Sequence, residues 1–324
     1  MPIFDKPLEQ LRQYRPSLTR EPDFDAFWQA TLAKAAEIPL QATFTPYDYP
    51  VRNATIYDVR YTGWNGARIA AWYIRPQGPG PFPALVVYHG YSGSKGQPHN
   101  HFLWVLQGYA VLAVDTRGQS GFSTDPTVYS TGHIKGWMTA GILDPQEYYY
   151  RGAYVDCVRA LDVLATRPEV DMTHVGLTGG SQGGGLSLAV AALDRRPVVA
   201  MADIPYLCHF ERAVDMALRM PYLEISDYIK QYPEHERQVW RTLSYFDNMN
   251  LAPRIQCPTL ISVGLVDDIC APSSIFATYN HLECEKDIAI FRYHNHEDIP
   301  AHWRTKFAWA QTYLWGKPGM KPEA

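Results

Sequence analysis

The sequence predicts an α/β fold built on a mostly parallel sheet, and three observations carry that expectation. Short apolar runs recur at Pro83–His89, Tyr109–Asp115, His174–Thr178, Val198–Asp203, Thr259–Val263 and Ile288–Tyr293. Helix-length segments separate them. Continuous apolar runs in that rhythm are what strands buried on both faces require. The stretch ahead of them differs. Residues 54–76 read as two strands joined at Gly63-Trp64-Asn65-Gly66, where the Asn-Gly pair suits a hairpin turn. The sheet is therefore expected to begin antiparallel.

The remaining elements follow from local pattern. Residues 23–38 read as an amphipathic helix with acidic residues in its first turn. Gly152–Thr166, Gln182–Ala192, Pro272–Leu282 and Trp303–Leu314 read as crossover helices. Tyr206–Asn250 carries no strand pattern but many aromatics, methionines and charges. It is expected to be a helical insertion over the carboxyl ends of the strands. Gly93-Ser94-Lys95-Gly96 lacks phosphate-loop spacing and reads as a flexible surface loop. No Ser/Gly linker, repeat or low-complexity run interrupts the chain, so one domain over residues 1–324, with the insertion at about 206–250, is expected.

Composition narrows the class. With 46% hydrophobic and 19% charged residues, the 324-residue chain can bury a large core. A net charge of −4 and a pI near 6.3 give no electrostatic case for nucleic acid or an anionic membrane. The five cysteines are odd in number and form no C-x-x-C pair, so neither a disulfide framework nor a zinc knuckle is signalled. No apolar run reaches the length of a membrane span, and Met1–Pro7 lacks a basic start followed by an apolar segment. A soluble, reduced, cytoplasmic protein is expected.

The chemistry points to one segment. Gly179-Gly180-Ser181-Gln182-Gly183 is a G-x-S-x-G match between an apolar run and a small-residue run at Leu186–Leu193. That order reads as strand, tight turn, helix. A serine on such a turn sits in a strained backbone conformation, and flanking side chains would collide with the neighbouring strand and helix. Ser181 also falls at a helix N-terminus, where free N–H groups favour a developing negative charge. A dinucleotide loop is excluded because Thr178, Ser181 and Gln182 break every G-x-G-x-x-G frame.

A serine hydroxyl needs a base, and the base needs an orienting acid. In α/β-hydrolases the acid and then the histidine follow the serine, on loops after late strands. Asp267 comes directly after the Thr259 run and is nearer the strand end than its neighbour Asp268. His294 and His296 both follow the last run, and the residues alone leave the two open. His294, His296 and Glu297 are possible metal ligands, but no second cluster matches them, so no metal is expected. Two backbone N–H groups should form the oxyanion hole. One belongs to Gln182; the other is assigned to Tyr91, from the H-G-x form of His89-Gly90-Tyr91.

With these residues in hand, the chain resembles carbohydrate esterase family seven, the acetyl xylan esterase / cephalosporin C deacetylase family. The resemblance covers nearly the full length. It rests on Arg117-Gly118-Gln119, on Gly179-Gly180-Ser181-Gln182-Gly183 and on His296-Glu297, in the family's order. Gly136–Thr139, Gly141–Pro145, Tyr148–Tyr150 and Val263–Ser273 are similar as well. The resemblance implies Ser181 as nucleophile, His296 as base, Asp267 as orienting acid and the Tyr91 and Gln182 amides as oxyanion hole. Arg117, Gln119 and Glu297 are implied as supports beside the site. It further implies a cofactor-free deacetylase of small acetylated sugars and cephalosporin C, assembled as a homo-hexamer from a dimer of trimers. Tyr206, after Ile204-Pro205 at a strand end, is a candidate wall of the acetyl pocket with Tyr91; ordinary packing is the competing reading. The chain departs from the family at Arg151-Gly152-Ala153, Met172–His174 and Leu223–Trp240, all expected at the surface or in the insertion. A peptidase or amidase on the same fold, and a non-catalytic binding protein, are the alternatives.

Overall fold

Nine strands form one sheet in a computed structural model that describes residues 5–316. The reading of the N-terminus rests partly on residues 1–4, which lie outside the described residues. The strands are β1 (Thr43–Pro46), β2 (Ala54–Thr62), β3 (Arg68–Pro76), β4 (Phe82–Tyr88) and β5 (Ala110–Val114), then β6 (Val170–Gly180), β7 (Pro197–Asp203), β8 (Thr259–Gly264) and β9 (Lys286–Phe291). Their order is β1-β2-β3-β5-β4-β6-β7-β8-β9. Pairing is antiparallel from β1 through β3 to β5 and parallel from there to β9. The hairpin between β2 and β3 turns at Asn65 (φ 52°) and Gly66 (φ 78°), closed by a 3.1 Å bond from Ala67 N–H to Trp64 C=O. Both central residues take left-handed angles, which is why Asn-Gly is needed there. β1 escaped the sequence reading because it is four residues long, half polar, and ends on proline.

The helices are α1 (Leu8–Gln13), α2 (Phe24–Ala36), α3 (Phe102–Leu106), α4 (Tyr149–Ala165), α5 (Gln182–Leu193), α6 (Phe210–Met216), α7 (Leu223–Gln231), α8 (Glu236–Ser244), α9 (Asn248–Leu251), α10 (Pro272–His281) and α11 (Trp303–Leu314). They cover the sheet unequally. On β4, Ala84, Val86 and Tyr88 join the core under α2, α4, α5 and α10, whereas Leu85 packs with Trp104 of α3 and Leu314 of α11. Successive residues of a strand face opposite ways, so a strand between two helical layers must be apolar throughout. Among the described residues no helix is long and apolar enough to cross a membrane.

The insertion holds α6 to α9 and spans two levels. Glu224 of α7 reaches the loop after β4, accepting hydrogen bonds from the Tyr91 hydroxyl at 3.0 and 3.1 Å. At its far end Asn248 of α9 donates to Gly185 C=O of α5 at 3.1 Å. Asp247 gathers the ends, accepting N–H bonds from His209, Phe210 and Met249 at 2.7 to 2.8 Å.

Two local expectations are corrected. The Gly93–Gly96 segment is not a free surface loop. Lys95 is buried, its Nζ lying 2.8 Å from Asp58 and 3.7 Å from the Trp72 ring centroid, and its N–H donates to Asp115. An ammonium held between a carboxylate and an indole anchors the loop. Arg151-Gly152-Ala153 is likewise buried, in α4. A Cβ on Gly152 would lie 2.5 Å from Arg117 Nη1, so the missing side chain makes room for a guanidinium.

Candidate active site

The turn from β6 into α5 holds Ser181 at φ 57°, ψ −120°, a conformation an L-residue keeps only when its surroundings enforce it. Ser181 N–H donates to Asp203 C=O at 2.9 Å, while its own carbonyl accepts from Tyr206 N–H at 2.9 Å and Gly185 N–H at 3.0 Å. Strand β4 passes so close that a Cβ on Gly183 would stand 2.0 Å from Tyr88 O. The glycine is a steric requirement of the turn.

Around the serine the structure brings together residues far apart in sequence. Ser181 Oγ lies 2.8 Å from His296 Nε2, and His296 Nδ1 lies 2.9 Å from Asp267 Oδ2. Asp267 is fully buried, and its other oxygen accepts the N–H groups of Ile269 (2.9 Å) and Cys270 (2.8 Å). The neighbours go elsewhere. Asp268 pairs with Arg219 at 2.6 Å, and His294 pairs with Glu297 at 2.9 Å on the exposed loop. Asn295 ties the two loops together: its side-chain oxygen accepts N–H bonds from Asp268 (3.0 Å) and His296 (2.7 Å). Nothing in its local sequence marked it, because the partner lies in another loop.

The serine is flanked on one side by the segment after β4. A Cβ on Gly90, the residue before Tyr91, would sit 3.8 Å from Ser181 Cβ. Gln182 heads α5, where an N–H group has no intrahelical partner. Tyr91 is held through its hydroxyl, which donates to Glu224 and accepts the Trp137 N–H at 2.6 Å. Burial pushes the Glu224 carboxyl up from its ordinary range. Glu224 gave no sequence signal, since its role depends on where the insertion folds back.

Behind the turn lies a buried polar frame. Gln182 Oε1 accepts from Gln119 Nε2 and from Tyr150 Oη, both at 2.9 Å. Tyr149 Oη donates to Arg117 C=O at 2.6 Å. Arg117 itself grips Asp156 through Nε (2.6 Å) and Nη2 (2.8 Å) and donates to Trp64 C=O at 2.9 Å. The hydrogen bonds of Arg117 and Gln119 thus go to this frame and to Gln182, the neighbour of Ser181. Tyr206 departs from the expected pocket wall. It is fully buried behind Tyr91, its ring centroid 6.1 Å from that of Tyr91 and 4.1 Å from that of Tyr222. Its backbone is pinned beneath the serine, which draws the ring inward.

The open space lies on the other flank, beside His296. A cavity of about 380 Å³ is bounded there by Ser181, His296, Trp104, His302, Trp303 and Lys306. Lys306 Nζ lies 2.5 Å from Asp203 Oδ2 at its floor. Burial works against ionisation of Asp203, yet Lys306 and His302 together hold its carboxyl below the usual range. Lys306 was read only as part of the Trp303–Leu314 helix and His302 was given no role, because their contacts with Asp203 run from α11 and the turn before it to β7.

Asp267, Cys270 and His296 offer ligand atoms within 4.8 Å of one another. Burial pushes the Cys270 thiol well up, disfavouring the thiolate that a metal would want, and His296 Nδ1 is already directed at Asp267. Hydroxyl, imidazole and buried carboxylate in line can instead pass a proton from serine to histidine while stabilising the imidazolium formed.

Residues 1–313 match the family model described as acetyl xylan esterase (AXE1). Acetyl esterase Axe7A of Xylanibacter ruminicola is 30% identical over 318 residues, covering 94% of this chain and 68% of its own length. The acetyl xylan esterase from Paenibacillus sp. R4 superposes with a TM-score of 0.93 at 47% identity, covering 95% of this chain and 100% of the other. Acetyl xylan esterase 1 from Thermoanaerobacterium sp. JW/SL YS485 gives 0.91 at 35% identity, with 95% and 98% covered.

Proposed function

The chain belongs to the acetyl xylan esterase (AXE1) family and is a carboxylic ester hydrolase, and from that premise we propose that Ser181, His296 and Asp267 carry out its chemistry on acetyl esters of small sugars. Ser181 Oγ attacks the acetyl carbonyl and His296 Nε2 takes its proton. The N–H groups of Tyr91 and Gln182 receive the oxyanion. The alcohol leaves with the proton returned by His296, and water, activated by the same base, releases acetate from the acetyl-enzyme. The observation that carries the reading is the unbroken contact from Ser181 Oγ through His296 to the buried Asp267, at 2.8 and 2.9 Å. No metal or cofactor enters these steps.

The substrates proposed are acetylated xylooligosaccharides and the acetyl ester of cephalosporin C. The proposed setting is a cytoplasmic homo-hexamer, a dimer of trimers, in which polymeric xylan would be a poor substrate. A burst of p-nitrophenol from p-nitrophenyl acetate, abolished in Ser181→Ala and indifferent to EDTA, tests the chemistry. Faster cleavage of peptide p-nitroanilides than of acetyl esters would turn the assignment to an amidase. Light scattering tests the assembly: six copies of 36.8 kDa are expected, and a monomeric mass would remove the hexamer alone.

A further inference from the structure

In the proposed reaction the two halves of the ester must lie on opposite flanks of Ser181. The carbonyl oxygen faces the Tyr91 and Gln182 amides. The departing oxygen must reach His296 Nε2, which reprotonates it. The cavity of about 380 Å³ is on that second flank, walled by His296, Ile299 and Trp303. Whatever alcohol the acetyl group is attached to has to occupy it.

Its floor is unusual for a site that only needs to admit a leaving group. Asp203 and Lys306 form an ion pair there, with Lys306 buried, its Nζ donating to Asp203 Oδ2 (2.5 Å) and lying 4.8 Å from the Trp303 ring centroid. Among the described residues, Thr178 Oγ1, Asp203 Oδ1 and both ring nitrogens of His302 are buried with no hydrogen bond. His302 Nε2 stands 3.2 Å from Asp203 Oδ1, an ion-pair distance. Thr178, Asp203 and His302 all line the cavity. Buried polar groups are nearly always satisfied, so a cluster of unsatisfied ones at the end of a reactive cleft calls for a partner. The ammonium and carboxylate balance in charge, which disfavours an anionic ligand. A hydrocarbon alcohol would cover these groups and leave them unpaired. A neutral polyol offers hydroxyls that both donate and accept, while its C–H face can lie against the half-buried Trp303.

We propose that this cavity is the subsite for the alcohol half of the ester and that it takes a sugar ring, with Asp203 and Lys306 reading its hydroxyls and Trp303 forming its apolar wall. The inference rests on the deacetylase reading above and adds the residues that select the alcohol. Asp203→Asn/Lys306→Gln removes both charges together, so that neither is stranded. The quantity to follow is the ratio of kcat/KM for acetylated xylose to kcat/KM for phenyl acetate. That ratio should fall about tenfold or more, mainly through KM for the sugar ester, as expected for lost hydrogen bonds to charged groups. An unchanged ratio in a folded double variant overturns the subsite. Should the variant fail to fold, competitive inhibition of the wild-type enzyme by methyl xyloside, with phenyl acetate as substrate, decides the matter. Inhibition supports the subsite, and none near the solubility limit overturns it. Phenyl acetate turnover by the wild type tests the esterase reading separately; its absence would remove that reading and the subsite with it.

Discussion

Replacing Asp267 by asparagine gives the sharpest test of the proposed relay, because the surroundings dictate how the new amide must sit. Asp267 Oδ1 accepts two backbone N–H groups, from Ile269 at 2.9 Å and Cys270 at 2.8 Å. An asparagine keeps both only by placing its carbonyl oxygen there. The reverse orientation would set its NH₂ against two N–H donors in a fully buried site, at a cost of about 1–3 kcal/mol for each lost bond. The amide nitrogen therefore faces His296 Nδ1, which must then present a lone pair. The imidazole proton moves to Nε2, which donates to Ser181 Oγ when it should accept. The equivalent change in a Ser-His-Asp hydrolase lowers kcat about 10⁴-fold, or about 5.5 kcal/mol of barrier. Asp267→Asn should show a loss of that order in steady-state hydrolysis of p-nitrophenyl acetate, with an unchanged circular dichroism melt. Asp268→Asn should lose less than about threefold, since its partner Arg219 is 55% exposed and such surface pairs contribute about 1 kcal/mol or less. Equal losses at the two positions, or retention of more than about a tenth of kcat in Asp267→Asn, would refute the relay as drawn.

Other perturbations follow from the same contacts. Gly152→Val should cost about 3 kcal/mol or more, read from a chemical-denaturation midpoint, because its Cβ meets Arg117 Nη1 at 2.5 Å and disturbs the buried pair with Asp156. Glu224→Gln preserves shape but removes the charge that receives the Tyr91 hydroxyl and the Met138 N–H; kcat should fall about tenfold with little change in KM, checked on phenyl acetate. His209 is held down to about 4 by burial, with Arg212 and His281 adding to the effect. Its folded value lies below the unfolded one, so the stability it contributes is present at neutral pH and is lost as pH falls from about 6.5 towards 4, up to about 3 kcal/mol. His209→Asn, which tolerates the φ of 43° there, should flatten the fall in denaturation midpoint over that window; parallel curves for the two proteins would assign the acid sensitivity to other groups.

What the sequence by itself determined was whatever depends on neighbours along the chain. The apolar runs at Leu85, Val111 and Leu260 announce strands covered on both faces, and the crossover helices announce the parallel order. Asn65-Gly66 specifies its own turn, and the Gly-rich elbow specifies Ser181, because left-handed φ angles and close backbone approach are local demands. The acid and base were narrowed to Asp267 and to one of two histidines by their distance from a strand end. Tertiary structure decided the rest. It put Asp268 against Arg219 and His294 against Glu297, which leaves Asp267 and His296 facing Ser181. It buried Lys95 over Trp72, filled the space beside Gly152 with Arg117, and drew Tyr206 behind Tyr91. It also assembled Asp203, His302 and Lys306 around an open cavity that no motif foretold. Apart from His294 and Glu297, three residues apart in one loop, these partners lie tens to hundreds of residues apart. Their contacts arise only when sheet order and helix packing bring separate surfaces together, and no periodicity within one segment encodes that meeting.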